Sequence, residues 1–538
     1  MKADLTRNTF HPFKNFTRVL MQQGRVQIDA DWNEQAAILT RYLRSLAADI
    51  IGPQGGPQED LGFAISPLTV TPKVGTDFAI SAGDYYVDGI LCANDPTPVA
   101  VSYISGTEWQ VRAEVWTVDG ISFAKGQLLE AFDTASPPNR ALTRITDVNE
   151  ASRILSLDAG FSSINPSATP RVRHVLTYTT QPDYPIPQSD LTSGVTYRVY
   201  LDVWERLITP VEDDSICEVA LGGADTAARA KLVCQVKCMQ ASTCGTPQDL
   251  INAFQPHNRG FLKARTKSSA ASADPCIISP NSRYRGPENQ LYRVEIHTGG
   301  VLRGNSPSGP TFKWSRENGS VVFPITSGGG TNVVTLETLG RDDRFGLAEG
   351  DWVEVQDDVS VLLNRVDNLL QVQSIDRTTM QVTLNGTLSS SVGNDPTKHP
   401  LLRRWDQRQG DEAAGGLVLN SADHAIQIVE GTGDTNWLDL EDGVQIQFQK
   451  PDSDANATSY RTGDYWLIPA RTATGNVEWP TEIGIDSQKN PIIVPAALPP
   501  LGVTHHYAPL AIFVAADGTA GQVLNTCQWQ FKASAGPA

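Results

Sequence analysis

The chain lacks any apolar run approaching the roughly 20 residues that a membrane-spanning helix needs, so no helical span is expected. Its opening stretch, MKADLTRNTFHPFKNF, has no apolar core of the kind a secretory signal requires, so synthesis in a cytoplasm without a signal peptide is expected. Cysteine is sparse: seven residues, an odd number without framework spacing, read as reduced thiols. Positive charge is in deficit. With 43 Lys and Arg against 60 Asp and Glu, the net charge of −17 repels phosphate backbones and anionic lipid. No nucleic-acid partner is therefore expected. Also missing are a GxxxxGK[ST] loop, a GxSxG elbow, a Rossmann fingerprint and an HExxH pair, so no cofactor, metal or catalytic residue is assigned.

What is present is a folded, multidomain composition: 538 residues, 40% apolar and 19% charged. Residues 1–60 form an N-terminal arm and one amphipathic α-helix. The arm carries Phe10, Phe13 and Phe16 and little periodicity, so it is expected to be ordered by a neighbouring subunit. In the helix, Trp32, Ala36, Leu39, Leu43, Leu46 and Ile50 recur at three- and four-residue steps, after Asp29 and Asp31 and before Gly52-Pro53. Two roles are open for this face: packing on the protein's own body or docking on a partner. Phe10, Phe13, Phe16, Trp32, Leu39 and Leu43 are the candidate interface anchors.

The remainder reads as mainly β: a multidomain body of β-sandwich and small β-barrel. A β domain is expected over 61–185 and a β-sandwich over 190–325, with an inserted small barrel at 326–400. A C-terminal β region at 401–538 is expected, its strands from about 420 on completing the sandwich. Period-two alternation marks YRVYLDVWER at 197–206 and QLYRVEIH at 290–297, as antiparallel sheets with one wet face produce. Asn318-Gly319 marks a hairpin. No tandem repeat of solenoid or propeller type is visible.

The reactive residue types read as structural. Cys234 and Cys238 alternate within a strand pattern, about 13 Å apart at four residues' spacing. That is too far for shared zinc ligation, so they and Cys244 read as core residues. His505 and His506 are adjacent and point to opposite faces of a strand. The acidic doublets Asp213-Asp214, Asp342-Asp343, Asp357-Asp358 and Glu441-Asp442 lie beside turns. Asp452, Asp454 and Asn456 mimic a calcium loop, but Ala457 and Gly463 stand where its Gly and Glu belong. The tryptophans, among them Trp204, Trp314, Trp352 and Trp466, read as core, with glycan stacking as the other role.

Eight segments, in order along the chain, carry a resemblance. They are RVLMQQGRVQIDADWNEQ (18–35), LRSLAADIIGPQG (43–55), YLDVWER (200–206), EVALGGADT (218–226), ENQLYRVEIH (288–297), FKWSRENGSV (312–321), GDYWLIPARTATGNVEWP (463–480) and HHYAPLAI (505–512). Together they resemble uncharacterised proteins encoded in gene clusters for contractile injection systems, the phage-tail-like particles. Cys234 departs from the aromatic residue that the resemblance implies there. The resemblance implies a baseplate-associated structural subunit (cage, fibre or spike-surrounding part). Its partners would be other particle subunits and copies of itself, with release by lysis. A glycan- or cell-surface-binding β module is the alternative, and a polysaccharide-degrading β-sandwich enzyme is a third reading.

Overall fold

The structure is a computed structural model. It describes residues 1–532 except 71–73, 113–115, 135–138, 159–163, 166, 187–188, 256, 268–282, 304–308, 343, 390–391, 411–415, 452–456 and 486–487. The calcium-loop mimic at Asp452, Asp454 and Asn456 lies outside the described residues, as does Asp343. The protein is mainly β, with three α-helices among the described residues. Two compact units divide it. One comprises residues 1–40, 205–231 and 255–504; the other comprises 41–204, 232–254 and 505 onward.

In the first unit, the strand Gln290–Ile296 lies between Thr311–Ser315 and Tyr465–Arg471. Val444–Gln449 pairs with Phe261–Thr266. Their inward side chains, including Tyr292, Phe312, Trp314, Phe448 and Trp466, form one apolar core. The second unit centres on Thr196–Ile208, paired with His506–Val514. Phe78, Tyr85, Tyr178, Val199, Leu201 and Phe513 fill its core.

The alternation in these strands does not mark a wet face. Every residue of Gln290–Ile296 is buried, Arg293 and Glu295 included. Arg198, Asp202 and Arg206 are buried in Thr196–Ile208. The polar side of each strand faces other protein groups, and its charges are paired there: Arg293 Nε lies 2.6 Å from Glu295, and Lys237 Nζ lies 2.7 Å from Asp202. Buried charge persists only when paired in this way.

Each unit also carries a closed six-stranded barrel. Barrel A, in the second unit, consists of β1 (Val99–Ser105), β2 (Glu108–Val111), β3 (Leu128–Phe132), β4 (Arg140–Asn149), β5 (Ile154–Leu157) and β6 (Arg171–His174). Barrel B, in the first, consists of β7 (Val322–Ser327), β8 (Val333–Leu336), β9 (Trp352–Gln356), β10 (Leu370–Asp376), β11 (Gln381–Leu384) and β12 (Leu401–Trp405). Their connectivity is the same. Around A the order is β1-β2-β5-β4-β3-β6; around B it is β7-β8-β11-β10-β9-β12, antiparallel throughout. The bulges fall at matching places, in the first pair of strands and in the fourth-to-fifth pair.

Individual bonds repeat as well. Gly126 N–H donates to Ile145 O at 2.8 Å, and Gly350 N–H to Val372 O at 2.8 Å. Val111 N–H donates to Arg153 O at 2.9 Å, and Leu336 N–H to Met380 O at 3.0 Å. Arg153 and Met380 both take the left-handed conformation, φ 55° and 56°. Ala124 N–H donates to the Gln127 side chain and Ala348 N–H to that of Asp351, each at 2.9 Å.

Three helices complete the description. α1 (Asp29–Ile51) ends where Gly52, at φ +94°, donates its N–H to Ala48 O. α2 (Pro247–Phe254) is capped reciprocally, Thr246 N–H donating to Asp249 and Asp249 N–H to Thr246 Oγ1. α3 (Asp358–Leu362) is capped by Asp357 and Ser360 in the same manner.

Candidate functional site

The arm departs from expectation in its first residues, which are held by the protein itself. Lys2 Nζ lies 2.9 Å from Glu295, and the Asn318 side-chain amide donates to Met1 O and Ala3 O at 3.1 and 2.8 Å. Arg7 pairs with Glu478 at 3.1 Å, and Arg471 donates to Thr6 O at 3.0 Å. Thr6 N–H reaches Asp29 at 2.9 Å, tying this stretch to the start of α1. The opening residues are thus tethered by charge pairs and hydrogen bonds within the chain itself.

Beyond residue 9 the character changes. Phe10 is half-buried, Phe13 is 89% exposed and Phe16 53%. Val19 N–H donates to Gln35 of α1 at 2.7 Å. A shallow hollow of about 240 Å³ follows, walled by Leu20, Met21, Arg25 and Val26. On α1, Trp32, Leu39 and Leu43 all point outward, 66%, 53% and 68% exposed, and Leu46 and Ile50 are exposed with them. The helix is fixed to the body by another side. Ala30 and Ile38 are buried, and the backbone at Arg44 and Ala48 lies against Gly89, where a Cβ would overlap the Arg44 carbonyl. Of the two roles open for the apolar face, packing on the body is thus taken by a different side of α1. Residues 13–50 hold the longest run of exposed large apolar side chains among the described residues.

The reactive residue types sort differently. Cys244 does not sit as a free core thiol: it is bonded to Cys527, 283 residues away, with Cα atoms 5.5 Å apart. This corrects the reading of seven reduced thiols. Cys92, Cys217, Cys234 and Cys238 are free. Burial pushes the Cys238 thiol well up; at Cys92 a hydrogen bond with Cys234 does so first, then burial. Neither is a ready nucleophile. His505 and His506 hold separate carboxylates, Asp202 at 2.7 Å and Asp88 at 2.8 Å. Trp204, Trp314, Trp352 and Trp466 are all buried, so none offers a sugar platform.

Two acidic doublets are not plain solvated turns. Asp357 is buried and caps α3, and Asp358 pairs with Arg206 at 2.7 Å. Glu441 accepts from Tyr292 Oη at 3.1 Å and from Arg316 at 2.8 Å. Burial, opposed by Arg316, pushes its carboxyl up to about 7. Burial, with Asp4 and Asp406 nearby, does the same to Glu317, also to about 7. Arg344 lies 2.6 Å from Glu317, and Arg316 donates its backbone N–H to Asp406. These carboxyl groups are interleaved with guanidinium groups in one folded polar network, in which burial outweighs the arginines. Sequence reasoning missed this network because its members come from separated segments. The acid-rich stretch was visible; its arginine partners were not.

Comparison with known proteins adds one match. A profile described as a family of unknown function, DUF6519, covers residues 1–111, 174–255 and 239–535. The chain belongs to the DUF6519 family. No curated protein and no solved structure matches it. The arm, α1 and barrel B all fall inside the DUF6519 match, whereas residues 112–173, most of barrel A, fall outside it.

Proposed function

We propose that this DUF6519 protein is a structural subunit of a contractile injection system, associated with the baseplate and assembling through its arm and α1. The observation that carries the reading is the outward apolar run from Phe13 to Ile50, which leaves Trp32, Leu39 and Leu43 without cover. The eight ordered segments that resemble proteins of such gene clusters supply the biological setting. In this reading the chain works without a catalytic step and holds other particle subunits and copies of itself. It is made in a cytoplasm and leaves it by lysis. The Cys244–Cys527 bond fits a protein that ends in an oxidising space.

The test is imaging of particles from a strain lacking the gene. Missing or disordered baseplates, with the protein present in purified wild-type particles, are expected. Intact baseplates together with absence of the protein from wild-type particles would overturn the proposal.

A further inference from the structure

The outward residues of α1 have a stricter spacing than amphipathicity requires. Trp32, Ala36, Leu39, Leu43, Leu46 and Ile50 follow one another by steps of four, three, four, three and four. That is a 3.5-residue repeat, the a/d seam of a coiled coil. Ala36, Leu43 and Ile50 occupy one seam position; Trp32, Leu39 and Leu46 occupy the other. All six are exposed along the whole seam. The buried Ala30 and Ile38 lie off it, so body attachment and seam use separate faces of the same helix.

We infer that α1 pairs with α1 of a second copy of this chain, seam against seam. A sheet or a flat surface does not match a 3.5-residue repeat; a partner helix does, because each knob then finds a four-residue hole. The residues flanking the seam allow self-pairing. Asn33, Gln35, Thr40, Tyr42 and Ala47 are uncharged, and Asp49 is the one charge among the flanking positions. Identical helices therefore meet with almost no like-charge repulsion, whereas selection of an unlike partner uses opposite charges at those positions. The seam and Tyr42 offer roughly 700 Å² of outward apolar area per chain, close to the ~800 Å² each partner contributes to a stable interface. Three heptads fit within the 23 residues of α1.

The inference rests on the subunit reading and names its partner. Light scattering on the full chain at tens of micromolar should give at least twice the mass of one chain. The double variant L39E/L43E should give the mass of one chain with its thermal midpoint unchanged, because both side chains are outward and carry no core contact. L524E, exposed elsewhere, should keep the wild-type mass. A single-chain mass for wild type, or an undiminished mass for L39E/L43E, overturns the inference. If such a single-chain protein is still found in purified particles, the subunit reading stands while this inference falls. If the protein self-associates through Leu39 and Leu43 but is absent from particles, the inference stands while that reading falls.

Discussion

Barrels A and B share their strand order, their bulges and their turn hydrogen bonds, yet differ in nearly every interior side chain. Leu129 in A stands where Val353 stands in B, and Ala131 where Val355 does. What the two keep is backbone geometry and the few polar groups that fix it. In A, Arg144 N–H donates to Asp158; in B, Gln371 N–H donates to Asn385. A barrel of this order tolerates exchange of its core volumes and does not tolerate loss of its turns, since each bulge and left-handed residue sets the register of the next strand.

The two barrels differ most in how their matching glutamates are embedded. Glu130 pairs across the ladder with Arg173, and Glu354 with Arg403. Glu130 meets Arg173 at 2.7 Å and the exposed Arg140 at 3.2 Å. Glu354 is buried, accepting from Lys313 at 2.6 Å and from Trp405 Nε1 at 2.9 Å, with Lys313 also 3.5 Å from Glu295. Burial pulls the Glu354 carboxyl up, but Lys313 and Lys2 outweigh it and hold it down at about 2. Barrel A meets the rest of its unit through apolar contacts, Leu128 and Leu142 against Leu68, Val70 and Ala79; barrel B is charge-locked to the sheet that carries Lys313.

Excision should break the comparison most visibly. The entry and exit strands of A are neighbours, Val99 facing Val172, so a short Gly-Ser linker can replace residues 99–174. Calorimetry should show the remaining chain unfolding cooperatively. The same operation on residues 322–405 should abolish folding, because Lys313 and Glu295 are left buried without Glu354. The point variant Lys313→Ala comes next. It should cost about 3–5 kcal/mol in denaturant titration, the usual loss on stranding a buried charge. Glu130→Ala should cost about 1 kcal/mol or less, as partly exposed pairs do. Equal losses would erase the distinction drawn here.

Acidity sharpens it further. The folded-state value of Glu354, about 2, lies below its ordinary 4.5. Its contribution is therefore present above pH 4.5 and lost as pH falls toward 2. Glu317 and Glu441 act in the opposite sense: raised to about 7, they favour the fold while protonated, and that contribution fades as pH rises from 4.5 through 7. The thermal midpoint should fall on both sides, and E317Q/E441Q should flatten only the limb between pH 4.5 and 7. The smallest effect is a predicted equality. Gly126 and Gly350 sit at φ +94° and +91° with open space around them. Alanine at either should cost about 1 kcal/mol from the left-handed backbone alone, and a large difference would deny the equivalence of the two turns.

Much of this was legible in the sequence. Period-two runs announced the β class. Asn318-Gly319, both at positive φ, makes a tight turn but not the expected hairpin: the strands it joins, Thr311–Ser315 and Val322–Ser327, pair with other strands in different sheets. The helix was plain from its apolar steps and its Gly52-Pro53 stop. The barrel duplication was not, because only Ala, Gly, Glu and Asp are shared between FAKGQLLEAFD at 123–133 and LAEGDWVEVQD at 347–357. The bonds that make the copies alike are mostly backbone bonds, which leave little trace in residue identity. The burial of both strand faces was equally hidden, since alternating charge looks the same whether water or a distant lysine answers it. α2 had a signal that went unread, the Thr246–Asp249 capping pair. Of the candidate anchors, Phe13, Phe16, Trp32, Leu39 and Leu43 are outward, while the opening arm residues turned out to be tethered by charges that no local pattern reveals.

The bond between Cys244 and Cys527 makes a covalent loop of more than half the chain. A protease cut anywhere inside that loop leaves a single molecule, which migrates as one band until thiol is added and then as two. The molecule thereby survives a nick within that loop without shedding a fragment.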